Sequence, residues 1–366
     1  MERRPAQSFL GGAAILAAAG ILSKVFGALY RIPLARLIGP EGMGLYGMAY
    51  PLYTMLLALS TAGVPVAISK LVAEKLAHAD EEGAKRVFRV SLEALLLSGL
   101  VFSLLLLALA GFLVRFGLLR DPRASWSVAA ISPAVFLVAV ISALRGYFQG
   151  QQNMVPTAVS QVFEQMLRAG TALLLGYFLL SRGIEFAAAG AAFGAVTGAL
   201  GALAVLFWYI KREKQSAGTV PVSQGKPAER WAILRTVLVL AVPVSLASLV
   251  MPLIQNLDVV IVPRRLEAAG YTIREATALF GQLSQMAATL INLPTILTVA
   301  LGVSLVPAVS ATAASGDLSG LRERIKTALR LTVLLELPAF AGLFLLARPI
   351  MALLYGLPSA GSAVRL

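Results

Sequence analysis

The chain has 366 residues, of which 58% are hydrophobic and 13% charged, and its mean hydropathy is +0.82, so a water-soluble core is excluded as a model for it. With no cysteine, disulfide frameworks, thiolate metal sites and cysteine nucleophiles are excluded, and the lone histidine, His78, lies among Asp80, Glu81 and Glu82 and reads as solvated. A net charge of +13 also occurs in nucleic-acid-binding proteins, but here the basic residues fall in short loops between apolar runs, so no nucleic-acid partner is expected.

Nine apolar runs are each long enough to cross about 30 Å of hydrocarbon as a helix, which predicts an all-α polytopic membrane protein. The N-terminal Glu2-Arg3-Arg4 and the Ala-rich stretch after it have the form of a secretory signal. The apolar run continues through Lys24, however, so it is read as the first span, Phe9 to Ile32. Lys24 and Arg31 are seven residues apart and share a face with Gly20 and Gly27. An ionisable group at mid-span costs about 2.5 kcal/mol or more, so two cations on one stripe mark a candidate phosphate or pyrophosphate site. Arg would bind by planar bidentate bonds and Lys as a point charge. The other reading of Arg31 is snorkelling to the headgroups; Lys24 is taken as the more deeply placed and Arg36 as interfacial. Next, Gly42-Met-Gly44-Leu-Tyr-Gly47 has the spacing of a dinucleotide fingerprint without its strand–helix context, and is read as a re-entry turn before span two, Leu45 to Ser69.

Spans three and four cover Ser91 to Val114 and Trp126 to Tyr147. Span five, Val155 to Leu180, holds Glu164 and Arg168 at i, i+4 with the acid first, the order that pairs best within a helix. The pair is either structural or a gate facing a cavity. Span six, Phe186 to Tyr209, carries Gly190, Gly194, Gly198 and Gly201 as a small-residue packing face. The polar, Gly/Pro/Ser-containing segment that follows predicts a linker at 211–231 between an N-terminal lobe, 1–210, with six spans and a C-terminal part, 232–366, with three.

Span seven, Ile233 to Val262, contains Gln255, Asn256 and Asp258. Asp258 either takes up a coupling Na+ or proton, with Asn256 beside it, or neutralises Arg264 or Arg265; no other cofactor is expected. Spans eight and nine run from Met286 to Val309 and from Leu329 to Tyr355, and Glu93 and Glu336 are placed in wet surroundings near span ends. Pro65, Pro243, Pro252, Pro294 and Pro338 lie inside spans and permit bends. With the N-terminus inside, about eighteen Lys and Arg, Arg145 among them, face the cytoplasm against about eight outside. A weak internal repeat aligns Val64-Pro65 with Val306-Pro307 and Ile32-Pro33 with Val262-Pro263, as in a parallel repeat about the membrane normal.

Four segments, Ser23 to Tyr53, Ser60 to Lys75, Arg145 to Arg168 and Ile291 to Ala308, together resemble the stage V sporulation protein B group. That group lies in the polysaccharide-biosynthesis and lipid II flippase branch of the superfamily that also contains the multidrug and toxin extrusion transporters. The resemblance implies a two-lobed, V-shaped bundle with six helices per lobe, so this chain is expected to be a fragment or to be completed by another chain. It further implies alternating-access transfer of an undecaprenyl-pyrophosphate-linked saccharide, such as a peptidoglycan precursor, from the inner to the outer leaflet of the bacterial inner membrane. Cell-wall synthesis proteins and membrane lipids would be its partners. Basic residues of the first helix line the cavity of lipid II flippases, and the stretch Ser23 to Gly27 around Lys24 is similar to theirs, with Arg31 offset by one position from the second such residue. Two other functions are weighed: an organic-cation antiporter, which would want unpaired mid-membrane carboxylates, and a glycosyltransferase or polymerase on the same lipid carrier, which would want an acidic or histidine cluster in a large loop.

Overall fold

The computed structural model describes residues 9–61, 63–217, 227–296, 298 and 318–365, and the regular elements among them are helices throughout. Among the described residues, six candidate spans are long and apolar enough to cross a membrane, and the first runs over 64 residues, Ala14–Ala77. At about 1.5 Å per residue that is some three bilayer cores, so the chain must break within it.

The breaks are where backbone chemistry puts them. Helix α1 (Phe9–Leu29) passes at Tyr30 into α2 (Arg31–Thr61) with the ladder almost intact, since Tyr30 N donates to the Phe26 carbonyl at 3.1 Å and Leu34 N to that of Tyr30 at 3.1 Å. Gly39 then adopts φ 67°, ψ 179° inside α2, followed by Pro40; only glycine enters that region freely, and proline can start but not continue a helix. The chain folds back there, bringing Tyr30 beside Tyr46 and Arg31 beside Tyr50. The Gly42 to Gly47 motif is therefore not the turn expected of it. It lies past the turn, helical and buried.

A second break around residue 63 precedes α3 (Val64–Ala77), whose Pro65 sits in its first turn. Asp80 caps α4 (Glu81–Arg115) by accepting from Gly83 N at 2.7 Å. That bond, and then Lys75, hold the Asp80 carboxyl below its ordinary pKa. The cap's contribution is thus present above the unfolded-state value and lost as pH falls through the depressed one. Helices α5 (Ala124–Gly150), α6 (Val155–Leu180) and α7 (Ile184–Ala217) complete the first lobe. Helix α7 runs past the expected Tyr209, and residues 218–226 of the linker lie outside the described residues.

In the second lobe, α8 (Pro227–Ala268) is one 42-residue helix with three internal prolines. Helix α9 (Ile273–Gly281), opened by a capping box of Thr272 and Glu275, continues through a π-helical turn at Gln282–Ala287 into helical residues 288–296. The helix begins well before the expected Met286, and the rest of the expected span eight, Val306-Pro307 included, lies outside the described residues apart from residue 298. The ninth span divides at Leu346 into α10 (Leu318–Leu345) and α11 (Ala347–Tyr355).

Glycines decide how closely these helices approach. A Cβ at Gly194 would lie 2.7 Å from the Arg168 carbonyl oxygen, and one at Gly198 would lie 2.6 Å from that of Glu164. The small face of α7 therefore seats the very stretch of α6 that carries the Glu164–Arg168 pair. The lobes meet the same way. A Cβ at Gly44 would lie 2.0 Å from the Thr277 carbonyl oxygen, and one at Gly281 would lie 2.1 Å from that of Pro40. Helix α8 closes on the break before α3, where Ser245 Oγ accepts from Gly63 N at 3.2 Å.

Gly198→Ala should overpack the α6–α7 seam and destabilise by about 1–3 kcal/mol. Gly170→Ala, with nothing within 4 Å of the new methyl, should gain up to about 1 kcal/mol from helix propensity. Thermal unfolding of the two variants in detergent should move in opposite directions.

Candidate substrate site

Where α1, α2, α6 and residues 288–296 face one another, a cavity of about 360 Å³ forms. Lys24, Arg31 and Arg168 all line it, together with Ser23, Tyr50, Gln165, Thr289, Asn292 and Thr295. Two residues read from sequence as substrate-binding and one read as gating thus share one chamber. The Arg31 guanidinium sits over the Tyr50 ring at 5.7 Å, and Tyr50 stacks on Tyr46 at 5.9 Å between centroids, so an aromatic ladder supports the cation from behind. Arg31 is half-buried whereas Lys24 is exposed to the cavity, so Arg31, not Lys24, is the more enclosed of the two.

Arg168 is only 8% exposed. It donates to Glu164 Oε1 at 3.1 Å, while Arg145 of α5 donates to Glu164 Oε2 at 2.9 Å and to Ser160 Oγ at 3.0 Å. Glu164 is therefore shared between two guanidiniums, and the group Arg145, Glu164, Arg168 keeps a positive charge. Arg145, within span four and counted among the cytoplasmic cations, lies inside α5, part-buried, and is turned to Glu164 rather than to water. Ser23 Oγ, Arg31 Nε, Gln165 Oε1 and Arg168 Nε are buried without hydrogen-bond partners among the described residues, all on residues that line the cavity.

The remaining predicted residues lie elsewhere. Asn256 donates to the carbonyls of Pro51 at 2.9 Å and Pro252 at 2.7 Å, tying α8 to α2. Asp258 is exposed on α8. Among the described residues it forms no ion pair with Arg264 or Arg265, and Arg264 instead donates to the Gly117 carbonyl at 2.8 Å.

At the end of the bundle beyond the Gly44–Thr277 contact, charged and polar groups gather, and an ion pair and a hydrogen bond among them join the lobes. Asp121, 1% exposed, accepts from Thr277 Oγ1 at 3.0 Å and from Arg123 Nη2 at 2.7 Å, and Arg123 also reaches Glu41 at 2.7 Å. Arg120 pairs with Glu267 at 3.0 Å. Arg36, expected at the headgroups, donates to the carbonyls of Leu353 and Leu354. Sequence reading missed this cluster because each member sits in a short loop or helix end where a solvated charge is unremarked.

Removing Glu164 leaves two part-buried guanidiniums without a counter-charge, so Glu164→Ala should lose about 3–5 kcal/mol of stability. Lys24→Ala, at an exposed cation, should stay within about 0.5 kcal/mol of the parent. Unfolding midpoints in detergent distinguish the two.

Comparison with known proteins agrees with this architecture. The family model described as polysaccharide biosynthesis protein matches residues 9–313. Stage V sporulation protein B of Bacillus subtilis (strain 168) is 36% identical over 362 residues, covering 98% of this chain and 68% of that protein. Lipid II flippase MurJ of the same organism is 28% identical over 362 residues, covering 95% and 66%; the chain thus spans about two thirds of the length of these relatives. Among solved structures, an inward-facing multidrug resistance MATE family transporter of the MOP superfamily superposes with a TM-score of 0.67 at 17% identity, over 96% of this chain and 79% of that one. A MOP superfamily transporter from Pyrococcus furiosus gives 0.63 at 18% identity, over 100% and 80%. The activities named among these relatives are those of a lipid II flippase and of transporters. The chain belongs to the polysaccharide biosynthesis protein family, in its stage V sporulation protein B and lipid II flippase branch, and is a multi-pass α-helical membrane protein of the MATE-like fold.

Proposed function

We propose that the protein is a flippase that carries an undecaprenyl-pyrophosphate-linked saccharide, such as a peptidoglycan precursor, from the inner to the outer leaflet of the bacterial inner membrane. The observation that carries this reading is the charge of the cavity: among the described residues, three cations line it and no carboxylate does. The carboxylate beside it, Glu164, is already divided between Arg145 and Arg168. A wall of guanidinium and ammonium donors suits a doubly negative pyrophosphate, whereas an organic-cation antiporter needs the opposite sign.

In this reading the pyrophosphate binds Lys24, Arg31 and Arg168 while the polyprenyl tail stays in the bilayer. With the N-terminus in the cytoplasm, as the loop charges favour, the end tied by Asp121 to Thr277 and by Arg120 to Glu267 faces outward, and the cavity lies beneath it. Release of those ties while the lobes rock would deliver the head group to the outer leaflet. We assign an Na+ or proton step, which would reset the cycle, to Asp258, because the amide of Asn256 already holds α8 to α2. Glu164 and Arg168 form the gating pair. Enzymes that build and polymerise the cell wall would supply and consume the cargo.

The test is binding by the purified chain in lipid nanodiscs. Undecaprenyl pyrophosphate should bind, tetraphenylphosphonium should not compete, and Arg31→Ala should weaken the pyrophosphate lipid about 10- to 100-fold, the worth of one charge-assisted contact. Preference for the organic cation, or equal binding of undecaprenol, overturns the assignment.

A further inference from the structure

The two walls of the cavity differ in hydrogen-bonding sense. Among the described residues, the charged donors come from the first lobe, through Lys24, Arg31 and Arg168. The second lobe contributes Thr289, Asn292 and Thr295, spaced by three residues and so on one helix face. Each of these spends a donor on its own helix: Thr289 Oγ1 on the Gln285 carbonyl at 2.5 Å, Asn292 Nδ2 on that of Ala288 at 2.7 Å, and Thr295 Oγ1 on that of Asn292 at 2.7 Å. Thr289 and Thr295 then have only oxygen lone pairs to offer, and Asn292 keeps its carbonyl oxygen and one amide N–H. Asn292 and Thr295 are exposed to the cavity, whereas Thr289 is 4% exposed. From α6, the buried and unpartnered Gln165 Oε1 adds a further acceptor.

A surface on which acceptors outnumber donors suits hydroxyls, which donate as well as accept, better than phosphate oxygens, which can only accept. We infer that Asn292 and Thr295 are specificity-determining residues that accept hydrogen bonds from hydroxyls of the sugar next to the pyrophosphate, so that the first lobe holds the phosphates and the second reads the sugar. This deepens the flippase reading and rests on it. The size of the chamber agrees: 360 Å³ is near the lower end of small-molecule sites, which run from about 300 to 1,000 Å³, room for the pyrophosphate and the adjoining sugar but not for a whole glycan or a lipid tail. A ligand gripped from both lobes also couples occupancy to their relative position, because it binds well only where both walls reach it.

The experiment measures binding by the whole chain in nanodiscs of three probes: undecaprenol, undecaprenyl pyrophosphate, and undecaprenyl pyrophosphate bearing one N-acetylated amino sugar. Asn292→Leu and Thr295→Val should each weaken the sugar-bearing lipid about 5- to 10-fold and leave bare undecaprenyl pyrophosphate unchanged. Thr295→Ser should restore binding, while Arg31→Ala should weaken both pyrophosphate lipids alike. Equal loss on both pyrophosphate lipids, or undiminished affinity for the sugar-bearing one, overturns the assignment of these two residues alone. If the parent chain does not distinguish undecaprenyl pyrophosphate from undecaprenol, the flippase reading fails and takes this assignment with it. Unfolding midpoints within a few degrees of the parent show that each variant is folded.

Discussion

A guanidinium enclosed by helices in a bilayer must keep its charge while having little water to solvate it, and the way Arg168 meets that condition organises much of this molecule. Its counter-ion, Glu164, is one turn away on the same helix and is also held from α5 by Arg145. One carboxylate between two arginines is enough to make burial tolerable and too little to neutralise the site. The surplus positive charge adjoins Lys24 and Arg31 on the wall of the cavity. The charge is kept rather than cancelled, which is what a site for an anion requires.

The backbone around this group is shaped to hold it there. Glycines of α7 let α6 approach so closely that carbonyls of Glu164 and Arg168 touch positions where any side chain would collide. The Gly39-Pro40 break folds α2 back so that Tyr46 and Tyr50 stand behind Arg31. Local conformational preference, close packing and site electrostatics are consequently parts of one arrangement. Helix α8 is fastened to the first lobe at several levels, by Arg86 to Glu229, by Ser245 to Gly63 and by Asn256 to Pro51.

Much of this could be read from the chain itself. Apolar runs of bilayer length located the helices, because lipid leaves a backbone little alternative, and span five matched α6 residue for residue. The stripe of Lys24 and Arg31 was visible because charge inside such a run is conspicuous, and the glycine face of α7 because its period is helical. What stayed hidden depended on partners distant in sequence. That Arg145 belongs with Glu164, or Asp121 with Thr277, is settled by tertiary packing across 19 and 156 residues. Gly42 to Gly47 misled because a glycine cluster signals a turn when read locally, whereas here it signals a neighbouring helix. The polar row Thr289, Asn292, Thr295 passed unnoticed since uncharged side chains are unexceptional within a span.

The Gly44 and Gly281 contact has a mechanical meaning. Side chains that interlock must change rotamer or slide past each other before two helices separate, and each such event adds a barrier. Here main chain rests on main chain, so the surfaces meet like two polished plates, with short-range attraction but no teeth. Parting the two backbones at this point disturbs no interlocked rotamers. Resistance comes instead from their neighbours, Phe280 and Met286 in the apolar core shared with Tyr46 and the polar contacts of Asp121 with Thr277 and of Arg120 with Glu267, which water can replace one at a time, and the joint behaves as a latch beside a smooth bearing.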